Sequence, residues 1–114
     1  MPRKVEILDL KVYLPDIDAA LRAMERGLVT CRRGGTRALI LIHGYGSSGV
    51  GGSLKNAVRK SLGDRALVGI VKDHVGGEEW TQRKRELLGL CPALSEHEQY
   101  LTGNDGVTAV LLRR

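Results

Sequence analysis

Apolar and polar positions along the chain sort into a short series of segments. Val5, Ile7, Leu8 and Leu10, interrupted by charges, predict a first strand over Val5–Lys11, with Asp9 near its C-terminal end. Pro15 and Asp16 then supply a helix start. Ile17, Leu21, Met24, Leu28 and Cys31 recur at spacings of 4, 3, 4 and 3, one apolar stripe on a helix that Gly34 and Gly35 end. Ala38 to Ile42 is an unbroken apolar run, which suits a strand buried on both faces and continuing to His43. After it, Leu54, Ala57, Val58, Ser61 and Leu62 return to helical spacing, with Ser53 as the expected N-cap and Gly63 as the stop.

The second half is less regular. Ala66–Val71 reads as a third strand that can extend to Val75, weakened at Gly69, and Gly76-Gly77-Glu78 as a turn. Thr81–Leu88 suits a short helix with Trp80, Leu87, Leu88 and Leu90 facing inward, and Ser95–Gln99 a further helical turn beyond Pro92. Gly103-Asn-Asp-Gly106 is turn chemistry, and Val107–Leu112 is the last strand. The order strand, helix, strand favours a parallel pair joined by a right-handed crossover. That arrangement brings Asp9 and His43 to the C-terminal edge of the sheet, where open α/β sheets bind ligands. The expected fold is α/β, a two-layer sandwich with about four strands in a mixed sheet and two main helices, in a single domain spanning 1–114.

Composition narrows the classes. A chain of 114 residues can bury roughly two thirds of its unfolded surface. With Trp80, Tyr13, Tyr45 and Tyr100 and no Phe, its core has to be aliphatic. No apolar run approaches the roughly 20 residues that cross a bilayer, so no membrane is expected. Charge interrupts the N-terminus before any leader-like apolar region, and the chain reads as cytoplasmic. Cys31 and Cys91 lack ligand or disulfide spacing and read as reduced structural thiols. The formal charge of +5 favours polyanions without selecting one.

The candidate chemistry gathers after the central strand, where His43 opens a run containing glycines 44, 46, 49, 51 and 52. Strand, glycine-rich turn and helix N-terminus present backbone N–H groups to a bound anion. Three enzyme classes fail here. A hydrolase needs Gly-x-Ser-x-Gly and a longer chain, a P-loop needs Gly-Lys-Ser/Thr, and a dinucleotide site needs the first strand and a ribose-binding acid. Two readings stay open for each side chain. His43 either contacts a ligand or hydrogen-bonds locally at a strand end; Asp9 either orients His43 or caps a turn. Lys55, Arg59 and Lys60 either hold phosphates or form a solvated helix face, and Tyr45 either stacks on a base or covers the loop. No cluster suggests a metal cage or a resident cofactor; a transient magnesium ion at Asp9 is the one metal site left open.

Leu8-Asp9-Leu10-Lys11 and His43-Gly44-Tyr45-Gly46 resemble the two motifs of the small MutS-related domain, usually written Smr. Leu54-Lys55 is similar to that family's Leu-Arg at the next helix, and Gly106-Val-Thr-Ala-Val-Leu-Leu112 to its glycine-led last strand. The longer glycine turn, Trp80 after Gly-Glu, and the Gly-Asn before the last strand resemble a bacterial subgroup of short stand-alone members. The resemblance implies a fold similar to the C-terminal domain of translation initiation factor three. It implies nucleic-acid binding and, in several relatives, endonuclease activity: DNA nicking, with a role in repair, or cleavage of messenger RNA on stalled ribosomes. By position, His43, Gly44 and Gly46 match the substrate loop and Asp9 the acid of the first motif. One departure matters. Lys11 stands where the family usually has a second histidine, and a lysine of ordinary pKa cannot shuttle protons near neutrality, though it can hold a phosphate.

The function expected is therefore nucleic-acid binding, RNA or DNA. Phosphates would be held by Gly44, Tyr45, Gly46, Ser53 and Lys11, flanked by Lys55, Arg59 and Lys60. The sharper expectation is phosphodiester cleavage with His43 as general acid or base and Asp9 fixing its tautomer. The alternatives are a non-catalytic adaptor docking on nucleic acid, the ribosome or a larger repair protein, and a binder of a small anionic ligand such as a nucleotide.

Overall fold

The computed structural model describes residues 4–44 and 49–114, with 49–52 described by backbone alone. Strand β1 (Val5–Asp9), helix α1 (Ile17–Arg33) and strand β2 (Ala38–Ile42) form the expected parallel crossover unit. The pairing runs in register from Val5 opposite Ala38 to Asp9 opposite Ile42. Asp16 caps α1, its carboxylate accepting the Ala19 N–H at 2.9 Å. Helix α2 (Gly49–Leu62), strand β3 (Val71–Gly76), helix α3 (Trp80–Leu90), the one-turn helix α4 (Glu98–Leu101) and strand β4 (Val107–Leu112) follow. The sheet order is β1-β2-β4-β3, with β4 antiparallel to both neighbours.

The two central strands explain themselves by composition. β2 and β4 are continuous apolar runs, which only a sheet covered on both faces can bury. One face packs Leu39, Leu41 and Val110 against Met24 and Leu28 of α1 and Leu54 and Val58 of α2. The other packs Ala38, Ile40, Ala109 and Leu111 against Trp80, Leu87, Cys91, Leu94 and Leu101. The mixed four-stranded sheet and its two main helices are thus as expected. The irregular stretch after β3 has a role the apolar pattern did not reveal, because its short helices, broken at Pro92, together cover the second face. Cys31 and Cys91 are free thiols.

Several boundaries differ from the sequence reading, and β2 ends at Ile42 rather than continuing to His43. Helix α2 begins at Gly49, so Ser53 is an exposed residue inside the helix and not its N-cap. The glycines at 49, 51 and 52 wind into helix although glycine disfavours it. Ala66 is not in a strand. Asp64 caps a 3-10 turn over Arg65–Leu67 by accepting the Ala66 N–H at 3.1 Å, and β3 starts only at Val71. Strand β1 stops at Asp9, whose carboxylate turns the chain by accepting the Lys11 N–H at 2.9 Å.

This topology gives the sheet two chemically distinct ends. One gathers Asp9, His43, Gly76 to Glu78 and Gly106; the other gathers Lys4, Arg37, Lys72 and Arg113. Gly77 seals the first end: a Cβ there would overlap the carbonyl oxygens of Asn104 and Leu101, and its own carbonyl accepts the Gly103 N–H at 3.1 Å.

Candidate functional site

His43 leaves β2 as a fully buried side chain. Its Nδ1 lies 3.0 Å from the Gly44 carbonyl and its Nε2 2.8 Å from the Thr108 hydroxyl. A carbonyl only accepts, so Nδ1 carries the hydrogen and Nε2 accepts from the hydroxyl. The Thr108 oxygen in turn receives the Arg59 Nε–H at 3.3 Å. Arg59 closes the chain with a bidentate pair to Glu78 at 2.6 and 2.8 Å. The hydrogen bonds therefore run in one direction, from Arg59 through Thr108 to His43 and on to Gly44. Burial pushes the His43 pKa down; the Gly44 carbonyl opposes this, the Arg59 and Lys55 charges reinforce it, and Glu78 opposes it. The imidazole is held neutral in one tautomer.

The backbone is fixed just as closely. The N–H groups of His43 and Gly44 both donate to the Gly106 carbonyl at 3.0 Å, and Gly106 N–H donates to the Asn104 side chain at 3.0 Å. Gly44 has φ +87°, a left-handed conformation that disfavours any residue with a Cβ. A Cβ there would meet the Lys11 side chain at 3.4 Å in ordinary contact, which places the Lys11 stem along the turn. Lys11 is exposed, with its ammonium free to reach solvent.

The expected site residues thus fall into distinct groups. Lys11 and Gly44 are together at the turn. Tyr45 and Gly46 lie outside the described residues. Asp9 does not fix the His43 tautomer: both ring nitrogens are taken by Gly44 and Thr108, and Asp9 makes the turn-capping bond to Lys11 instead. Lys55 pairs with Asp105 at 3.4 Å and Arg59 with Glu78, so neither is a bare phosphate ligand here. Lys60 and Ser53 are exposed on α2. Thr108 and Glu78 were not foreseen. The signal for Thr108 was available, as it is the only polar residue in the run Val107–Leu112. Glu78 looked like part of a turn, and only the fold brings it beside Arg59. Among the described residues no group of three His, Cys, Asp or Glu side chains could hold a metal ion.

A family model described as the Smr domain matches residues 8–78, more than half of the chain, from the end of β1 through His43 and α2 to Glu78. The chain belongs to the Smr domain family. The crystal structure of the Smr domain of Thermus thermophilus MutS2 has the same fold, with a TM-score of 0.59 and 24% identity over 96% of this chain and 99% of that one. No curated protein matches closely enough to count as a relative. Within this Smr domain the matched stretch contains Asp9, Lys11, His43, Arg59 and Glu78, whereas Thr108 of β4 and Gly106 just before it, which hold the turn in place, lie beyond it. No helix among the described residues is long and apolar enough to cross a membrane.

Proposed function

We propose that this Smr domain binds nucleic acid along the edge of the sheet that runs from Lys11 across Gly44 to the start of α2, and that it does so as a binding module. The observation that carries this is the exposed Lys11 lying against the left-handed Gly44, on an edge that the family match includes. A glycine there leaves the backbone open to close approach, and the adjoining start of a 14-residue helix favours negative charge. Lys55 is only loosely held by Asp105, so a phosphate can compete for it.

Cleavage driven by His43 fits the geometry poorly. A general base needs a free lone pair within reach of the proton it takes. Here Nε2 is occupied by Thr108 in a site closed to solvent. His43 is better read as a positioning residue that shapes the turn, and the domain as an adaptor for RNA or DNA, including nucleic acid on the ribosome.

The test is fluorescence anisotropy with labelled single-stranded RNA and DNA across a salt series. Lys11→Glu should weaken binding and reduce the log–log salt slope by about 0.7, the share of one phosphate contact. Unchanged binding would remove Lys11 from the interface. The same labelled strands, incubated with and without magnesium, should stay intact. Cutting by the wild type that a folded His43→Asn variant loses would overturn the binding-module reading in favour of an endonuclease.

A further inference from the structure

At the end of the sheet away from His43, two adjoining hollows of about 370 and 320 Å³ share Arg37, Leu90 and Arg114 as lining residues. Each is within the range of small-ligand sites, roughly 300–1,000 Å³. Lys72 and Arg113 also line the first and Lys4 the second, so five cations line one groove. Among the described residues no Asp or Glu side chain lines either hollow, and none of the five cations makes a salt bridge. The nearest acidic neighbour by shared lining is Glu96, across Lys4 in a third hollow. The carbonyl oxygen of Arg114 accepts from Arg32 at 3.3 Å, a bond that turns it toward α1.

Arg37 is the decisive residue. Its Nε is buried with no hydrogen-bond partner among the described residues. An unsatisfied buried donor on a charged group is disfavoured, yet the Arg37 guanidinium is held at the groove without a protein acceptor at Nε among the described residues. The residue is not there by slack packing: its backbone N–H donates to Lys4 at 2.8 Å and its carbonyl accepts from Leu112 at 2.9 Å, which ties together the ends of three strands. Arg37 and Lys4 line the second hollow together with the buried Cys91. Leu90, Pro92 and Ala93 add an apolar part to the lining, with Leu90 partly exposed.

We propose that this groove is a second phosphate-binding site that takes a nucleotide unit, its phosphate on Arg37 and its neighbouring cations and its base against the Leu90–Ala93 wall. A guanidinium presents its N–H donors in a fork suited to phosphate oxygens, and an apolar wall accepts any base face. The site does not depend on the His-Gly turn. The two lie at opposite ends of β2, about 20 Å apart at the rise of an extended strand.

The test is amide chemical-shift mapping of the isotopically labelled protein with three probes: inorganic phosphate, adenosine monophosphate and a twelve-nucleotide single-stranded RNA. Saturable shifts at Arg37, Lys72, Leu90 and Arg113 are expected. Saturation by the monophosphate identifies a free nucleotide as the ligand, and shifts with the RNA alone identify a polynucleotide backbone. Shifts at these amides with none of the three probes overturn the proposal. Shifts at Lys11 and Gly44 report the other end separately, so either site can fail without the other. A Lys72→Glu/Arg114→Glu variant, exposed at both positions and expected to melt no lower than the wild type, should bind the active probe at least tenfold more weakly. A folded variant with undiminished shifts at Arg37 and Leu90 would equally sink the assignment.

Discussion

At the end of the sheet that carries His43, each half-buried cation has an acid beside it: Lys55 has Asp105, and Arg59 has Glu78. At the other end Lys4, Arg37, Lys72, Arg113 and Arg114 face a groove with no Asp or Glu side chain in its lining among the described residues. The same sheet holds both. The difference teaches what positive charge is for in each place. Paired cations are struts: Arg59 spans from α2 to Glu78 and Thr108, and so fixes the turn on which His43 sits. Unpaired cations that converge on one hollow add repulsion to the folded state, which a bound anion relieves. A stability measurement should therefore respond to the first set and a ligand to the second.

The largest expected effect is at the hub of the strutted end. Thr108→Val keeps the side-chain volume but removes the hydroxyl between His43 Nε2 and Arg59 Nε, in a position with no exposed surface. His43 loses a hydrogen bond where water has no access, and the half-buried Arg59 loses a weaker one, so the variant should lose about 2–3 kcal/mol in urea unfolding. A loss below about 0.5 kcal/mol would mean that the turn is held by the Gly106 backbone bonds alone. Binding of a monophosphate in the far groove should be unaffected by this change.

The chain's own pattern disclosed the frame of this arrangement better than its wiring. The crossover unit, the four-stranded mixed sheet and the position of His43 at a strand end all follow from apolar runs and spacings, because burial selects them residue by residue. The hub does not, because a hydrogen-bond partner is chosen by register. Thr108 faces His43 through the pairing that sets Ile42 opposite Val107, and Glu78 reaches Arg59 through a turn after β3. The far groove was invisible for a related reason. Arg37, Lys72 and Arg113 are scattered single charges in sequence, and only the stacking of strand ends makes them one surface. Asp9 was read by proximity to His43 in the topology, whereas a carboxylate two residues before a free N–H satisfies it first.

Acid should break the strutted end before the other. His43 has its pKa lowered chiefly by burial, so the unfolded chain takes up a proton at a pH where the folded one still refuses it. Stability from this group is fully present above the ordinary value of 6.5 and is lost as pH falls from there toward the lowered folded value. His74, also depressed chiefly by burial though opposed by Asp73, adds in the same direction. Unfolding free energy should therefore fall from pH 7 to pH 5, and the slope should be shallower in His43→Asn, whatever that variant's absolute stability. An identical slope in both proteins would assign the whole effect to other groups.

The smallest effect is the most discriminating, because the two ends should differ in sign. Arg59→Gln leaves Glu78 without its partner; with the two side chains 26% and 36% exposed, solvent screens the pair, and the loss should be only about 0.5–1 kcal/mol. Lys72→Gln removes one of several like charges and should leave stability unchanged or raise it by up to about 0.5 kcal/mol. Urea unfolding at low salt and at 1 M salt separates the cases. The Debye length shrinks to about 3 Å at 1 M, so the Lys72→Gln gain should vanish, whereas most of the Arg59→Gln loss should persist because its bidentate bonds are contacts and not long-range fields. If Lys72→Gln instead destabilises as much as Arg59→Gln does, the far groove is a structural charge network like the one at His43, and the contrast between the two ends disappears.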